Sequence, residues 1–251
     1  MLSEGHGVVN YGCINFTYEG KQQEEFIEWS EKRIDDEIAR YLQRHLQSKS
    51  AKPADVLRIQ AVTGGDHGDT AFQFGASASA ELSGGKIIDF EVSACELICR
   101  KDTGRLIKST ILPTLTSGLN VVATSPLHIY ERDEGNIICK FGETCPTTQH
   151  AAMIIPHVDL YITGDLAFQA MALGKESMSG HWCMHCTMQM QCTLMEVELS
   201  AVKMWTMTEY CRLGDKAERR GKGETKLGMK QKPWWDFIPM THYMIPLLHC
   251  A

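Results

Sequence analysis

No run in the 251-residue chain approaches the ~20 consecutive apolar residues that a membrane-spanning helix needs. The N-terminus also lacks the basic-then-apolar layout of a signal peptide. These two absences predict an intracellular protein with no membrane partner. No internal repeat is visible. A basic excess is missing as well: the formal net charge is −6, which argues mildly against a nucleic-acid partner.

The distribution of charge softens that objection. Between Arg212 and Lys232 stand Arg212, Lys216, Arg219, Arg220, Lys222, Lys226, Lys230 and Lys232 against Asp215, Glu218 and Glu224. This net-positive, Gly-rich stretch reads equally as a solvated loop and as an arm that contacts phosphates.

Hydrophobic residues make up 43% of the chain, enough for one large domain or a domain with insertions. Ten cysteines are present but scattered singly, except for Cys183-Met184-His185-Cys186, and a reducing compartment keeps such residues as thiols. Most of them, like the thirteen methionines, fit adaptable core filling.

Phe26, Ile34, Ile38, Leu42 and Leu46 recur mostly at spacings of four among charged residues, which predicts an amphipathic helix over Gln22 to Gln47. Ser48 to Pro53 reads as a linker. Val56 to Val62 has strand composition and leads into Thr63-Gly64-Gly65-Asp66-His67-Gly68-Asp69, read as a turn bearing two carboxylates. Phe72 to Leu82 and Ile87 to Arg100 follow as strands, separated by Ser83-Gly84-Gly85-Lys86, so three successive antiparallel strands are expected.

Leu106 to Leu119 mixes helix and strand signals around Pro113, and its type stays open. Leu127 to Phe141 reads as a hairpin with Arg132-Asp133-Glu134-Gly135 at its tip. Met153 to Ile162 gives the most buried-looking strand and runs into Thr163-Gly164-Asp165. A helix over Leu166 to Leu173 then ends at Gly174, which places Asp165 at a strand-to-helix junction. A longer helix is predicted over Thr193 to Leu213. Pro233 to Ala251 is aromatic and apolar, and it stops without a cap or polar tail, so the natural protein is expected to continue past it.

Two carboxylates at strand ends about a hundred residues apart can face each other across adjacent parallel strands. Hard divalent cations prefer such oxygens, and two ions roughly 3.5 to 4 Å apart stabilise both the attacking and the leaving oxygen at a phosphodiester. Asp66 and Asp165 are the candidates. His67 and Asp69 lie beside Asp66 as further ligands, with Asp69 better read as turn chemistry, and Asp159 reads as edge decoration or a polar contact toward a helix. Cys183 and Cys186 have the spacing that lets one turn offer two sulfurs to tetrahedral zinc. His181, His185, Cys192, His242 and His249 are candidates to complete that shell, and spacing selects none of them.

Several segments taken in order resemble the catalytic core of Transib-type DDE transposases and the related V(D)J recombinase catalytic subunit, over most of residues 56 to 251. Gly64-Gly65-Asp66-His67-Gly68-Asp69 resembles the turn with the family's first catalytic aspartate, and Asp66 is preferred as nearer the strand. Ile162-Thr163-Gly164-Asp165, then Ser179-Gly180-His181-Trp182-Cys183-Met184-His185-Cys186, resembles the second aspartate and the zinc-binding CxxC. Lys232-Pro233-Trp234-Trp235-Asp236-Phe237-Ile238-Pro239 through Leu248-His249-Cys250 resembles a later segment of the family.

The resemblance implies an RNase H-like α/β fold: a mixed sheet with flanking helices and a CxxC zinc-type insertion, truncated at the C-terminus. Its parts would be an N-terminal helical segment and linker (1–52), the core (53–175), and the insertion with helix, basic loop and aromatic segment (176–251). It also implies Mg²⁺ or Mn²⁺ at Asp66 and Asp165, structural Zn²⁺ at Cys183 and Cys186, DNA as partner, a homodimer and a nuclear location. The intact parent would cleave DNA ends and transfer strands. The family's third carboxylate and zinc-completing histidines would lie beyond Ala251, so this chain alone is expected to be inactive. The alternatives are a non-catalytic nucleic-acid or partner-binding module of transposase origin and an RNase H-like nuclease that does not join ends.

Overall fold

A computed structural model describes residues 8–18, 21–48, 51–68, 71–99, 104–131, 136–142, 152–175, 183–186, 203–220 and 228–244. The chain is mixed α/β and folds as two compact units, Met1–Leu160 and Tyr161–Ala251.

In the first unit, β1 (Val8–Tyr18) and β2 (Lys21–Glu31) form an antiparallel hairpin, with Val8 opposite Glu31 and Tyr18 opposite Lys21. The helix expected from Gln22 is therefore shorter. It is α1 (Ile34–Ser48), and Phe26 lies instead on β2, where its exposed ring stacks on Tyr11 at 5.7 Å. Spacing alone suggested a single helix because Glu24, Glu25, Glu28 and Glu31 suit helices. Pairing of β2 with β1, and of Glu28 to Glu31 with Ile98 to Cys95, overrides that local preference.

Antiparallel ladders join β3 (Val56–His67) to β4 (Ala71–Leu82), and β4 to β5 (Ile87–Ile98). Every second side chain of β4 and most of β5 is buried, the signature of a sheet covered on one face. The six-stranded order is β1-β2-β5-β4-β3-β9, where β9 (Asp159–Gly164) enters from the end of this unit. Between Phe74 and Gly75 the register with β5 slips, so that Ala94 and Cys95 are both buried. A Cβ at Gly75 would stand 2.4 Å from the Val92 carbonyl oxygen, so only glycine fits this bulge.

Ile34, Ile38, Leu42 and Leu46 of α1 are wholly buried where the helix packs against β5, β4, α3 (Leu112–Thr124) and β7 (Ile137–Phe141), each contributing about 2 kcal/mol of apolar burial. Small side chains in β4, Ala76, Ala78 and Ala80, lie on the buried face of the sheet. The segment of open type forms two helices, α2 (Gly104–Ser109) and α3 (Leu112–Thr124), and Pro113 stands in the first turn of α3, where its missing N–H costs no bond.

A second sheet has the order β7-β6-β8, made of β6 (Leu127–Glu131), β7 (Ile137–Phe141) and β8 (Met153–Ile155). The predicted hairpin is present, although its tip, 132–135, falls outside the described residues. The single strand expected over Met153 to Ile162 is two strands in different sheets, because Pro156-His157-Val158 leaves the ladder between β8 and β9. Side chains of α1 tie this sheet down: Gln47 Nε2 donates to the Ile137 carbonyl at 3.2 Å, and the Cys139 amide donates to Gln43 Oε1 at 3.3 Å.

In the second unit, α4 (Leu166–Ala172) ends at Gly174, which has φ 78° as expected of a C-terminal glycine. The Gly174 carbonyl accepts from the Lys230 and Gln231 amides, and the Trp234 amide donates to the Ala172 carbonyl, so the segment 228–235 is clamped to this helix end. Trp234 and Trp235 close over Phe168, with ring centroids 6.3 and 6.2 Å away. The later helix, α5 (Met207–Arg220), starts well beyond Thr193. Lys203 to Thr206 are not helical, and the Thr206 hydroxyl and the Glu209 carboxylate cap the helix reciprocally. Residues 193–202 of the expected helix fall outside the described set. No described helix is long and apolar enough to cross a membrane.

The α1–α3 crossing in the first unit depends on Gly118, where a Cβ would come within 2.9 Å of Ile34 Cγ2 and 3.0 Å of Asp35 Oδ1. Gly118→Ala is expected to destabilise the protein by about 1 to 3 kcal/mol through overpacking, read as a lower urea midpoint at unchanged slope.

Candidate functional site

Asp66 is not in a turn. It is the penultimate residue of β3, opposite Gln73 of β4, because Gly64 and Gly65 pair with Gly75 and Phe74 and carry the ladder through what had read as turn chemistry, so the acid does stand at the strand end. The chain turns only afterwards, where the Gly68 amide donates to the Ala71 carbonyl at 2.9 Å. The Asp66 side chain is exposed. Its row continues across the sheet, since Gln73 stands opposite Glu96 of β5 and Gln73 Nε2 donates to Glu96 Oε1 at 3.1 Å. Glu96 is thus a carboxylate near Asp66 that spacing could not find: β4 separates it from β3, and only the register sets the two on one row. The His67 side chain and Asp69 fall outside the described residues.

In the second unit, Asp165 is the N-cap of α4. Its Oδ1 accepts from the Phe168 amide at 2.7 Å, which aims the carboxylate along the helix start. The bond engages one carboxylate oxygen, and the side chain is exposed. Asp159, in the first unit, is held by Arg58 of β3, whose Nε donates to Asp159 Oδ2 at 2.5 Å. This acid is an ion-pair partner of a strand residue, a polar contact but not one that faces a helix as expected.

The Cys183–Cys186 segment forms a tight turn built by its surroundings. The His185 amide donates to Cys183 Sγ at 3.4 Å, which fixes the sulfur against the backbone of the turn. Tyr210 of α5 reaches under the turn and donates its hydroxyl to the Met184 carbonyl at 2.8 Å. The Trp205 amide donates to the His185 carbonyl, and Cys186 bridges to Met204. Met184, His185 and Cys186 are buried, while Cys183 is half-buried.

Lys175 is buried beside this turn. Desolvation pulls its ammonium below the usual lysine range, and the nearby Cys183 sulfur acts in the opposite direction. His185 is held below the ordinary histidine range, chiefly by burial and then by Lys175, and its Nε2 is a buried nitrogen without a hydrogen-bond partner. Burial likewise raises the Tyr210 phenol, with the two cysteine sulfurs adding to the effect. Sequence patterning missed Lys175, Trp205 and Tyr210, because a residue that braces a turn from another element carries no motif.

Of the candidates to complete a zinc shell, His242 stacks on Tyr161 at 4.8 Å, and His181, Cys192 and His249 fall outside the described residues. Among the described residues, no three His, Cys, Asp or Glu side chains gather as a metal-binding group. No family model, curated protein or solved structure matches the chain.

Removing the Tyr210 hydroxyl leaves the Met184 carbonyl without its donor. Tyr210→Phe is expected to cost about 1 to 3 kcal/mol and to expose Cys183. The measurement is maleimide labelling under native conditions, with faster modification of Cys183 expected and exposed Cys13 unchanged as the internal standard.

Proposed function

We propose that the chain is part of an RNase H-like DDE transposase or recombinase, which in its intact form cleaves DNA ends and joins them to new DNA. The observation that carries this reading is the strand order β5-β4-β3-β9. Three consecutive antiparallel strands are followed by a strand that returns beside the first of them, with one candidate aspartate on the first strand and the other directly after the fourth. The chain's resemblance to Transib-type cores implies catalytic aspartates at these two positions.

Carboxylate oxygens are the donors that Mg²⁺ and Mn²⁺ prefer, and Asp66 and Asp165 are both exposed, so the donor chemistry fits. Asp66 would be held in place by the β3–β4 ladder, and Asp165 by its bond to the Phe168 amide. When bound, such ions supply Lewis-acid polarisation of the scissile phosphate and activation of water or a 3′-hydroxyl. This reading includes a nuclear location and a homodimer, both carried over from the family. Cys183 and Cys186 would supply two sulfurs of a structural Zn²⁺ site; the hydrogen bond from the His185 amide to Cys183 Sγ and the brace from Tyr210 support that role.

A second reading, a DNA-binding module without chemistry, is favoured by the structural use already made of Asp165 as a helix cap. Calorimetry with Mn²⁺ on the DNA-free chain separates the two. Asn caps helices as well as Asp does, so Asp165→Asn removes the charge and keeps the cap. Asp66→Asn and Asp165→Asn are each expected to weaken Mn²⁺ binding about tenfold or more. An affinity indifferent to both substitutions sinks the catalytic reading. Zinc content by mass spectrometry is expected to fall in Cys183→Ser and in Cys186→Ser; equal zinc in both variants and the parent excludes the sulfur site.

A further inference from the structure

The excess acid of the chain resides entirely in residues 1–160, whereas residues 161–251 hold nine Asp and Glu against ten Lys and Arg. Within that second unit, α5 sorts its residues by sign. Its buried side is Tyr210, Leu213, Gly214 and Ala217, at the i, i+3, i+4, i+7 spacing of one helix face. At Gly214 a Cβ would stand 2.6 Å from both the Gln231 carbonyl oxygen and Lys232 Cα, so this face is in close backbone contact.

Every acid of the helix has a local task. Glu209 caps the N-terminus, Asp215 pairs with Lys232 Nζ at 2.8 Å, and Glu218 accepts from the Lys232 amide at 3.0 Å. Arg212, Lys216, Arg219 and Arg220 line a surface hollow together with Asp215. Arg219 and Arg220, in the last turn, complement the helix dipole. Lys216 stands one turn earlier and Arg212 two turns earlier, where the charge of Arg212 also acts on the Glu209 carboxylate.

We infer that this face of α5 is a docking surface for the sugar-phosphate backbone of duplex DNA, binding without regard to base sequence; the inference rests on the DNA partner proposed above. Successive cations at intervals of three or four residues rise about 5 to 6 Å along the helix, a ladder of charge that can follow a phosphate strand. An anionic membrane offers phosphates too, but a helix lying on a membrane inserts its apolar face, and here that face is buried in the protein. Without an available apolar face only the electrostatic part of membrane attraction remains, so the nucleic-acid backbone is the better match and vesicle binding is an outcome of the test.

The test is fluorescence anisotropy of the full chain with a mixed-sequence duplex over a salt series, in buffer with no added Mg²⁺ or Mn²⁺ and no chelator, so that carboxylate–metal chemistry plays no part and any bound zinc stays in place. The variant Arg212→Gln/Lys216→Gln/Arg219→Gln/Arg220→Gln is expected to weaken binding for every duplex tried. Its slope of log affinity against log salt should be lower by about 3 to 4, near 0.9 for each phosphate no longer neutralised. The charge-conserving variant Arg212→Lys/Arg219→Lys/Arg220→Lys keeps the slope. Single Arg219→Gln and Arg220→Gln each lower it by about 1, which serves if the fourfold variant fails to fold by circular dichroism.

An unchanged slope in the fourfold Gln variant, or in both single variants, overturns the inference. Binding to phosphatidylcholine–phosphatidylserine vesicles but not to DNA overturns it as well. Failure here, with Mn²⁺ binding still dependent on Asp66 and Asp165, removes only the α5 surface. Loss of DNA binding in the Gln variant, with Mn²⁺ binding indifferent to both aspartates, keeps the surface and removes the catalytic reading.

Discussion

The antiparallel ladders from β3 through β4 to β5 set the position of nearly everything else in the first unit, and they tolerate little change because of how closely the backbones approach. At Gly75 the Val92 carbonyl lies where a side chain would begin, so the bulge that buries both Ala94 and Cys95 exists only with glycine there. The same register turns Ala76, Ala78 and Ala80 toward the covered face, together with the apolar residues of β5, and α1, with Ile34, Ile38, Leu42 and Leu46 wholly buried, packs against β5, β7 and α3. Cys139, on the sheet tied to α1, is enclosed so fully that burial pushes its thiol up to about 12, which removes it from thiolate chemistry.

The second unit uses glycine for the same physical reason in a different setting. Gly174 and Gly214 let α4 and α5 close on the backbone of Gln231 and Lys232, and the aromatic residues that follow seal one side through Trp234, Trp235 and Phe168. With α5 fixed in this way, Tyr210 is carried to the CxxC turn on its apolar side, and the cations are carried to the surface. One helix therefore braces the cysteine turn and presents the basic face, and both follow from which residues the 3.6-residue period directs inward.

The proposed chemistry asks different things of different parts. Asp66 sits on a regular strand in a polar row with Gln73 and Glu96, and Asp165 starts a helix, so each carboxylate is oriented by backbone geometry in its own unit. The acidic net charge of the whole chain had weighed against DNA. Its division between the units changes that weight, because an electrostatic partner responds to the local surface more than to the total.

Much of the fold was legible where the signal is local. Alternation at period two marked β4 and β5, Gly174 marked the end of α4, and the Cys183–Cys186 spacing marked a turn. The resemblance drew attention to Asp66 and Asp165 through short motifs of the same local kind. What could not be read depended on partners distant in sequence. The Glu-rich β2 looked helical until β1 and β5 paired with it, Gly64-Gly65 looked like a turn until β4 ran alongside, and Glu96, Lys175 and Tyr210 acquired their roles only from neighbours on other elements. By itself, the sequence determined which residues carry hydrophobic period, charge and donor chemistry, since those are properties of side chains in order. The tertiary structure alone decided which strands pair, in what register and which polar groups meet, because pairing energy comes from contacts between residues tens of positions apart that no local pattern encodes.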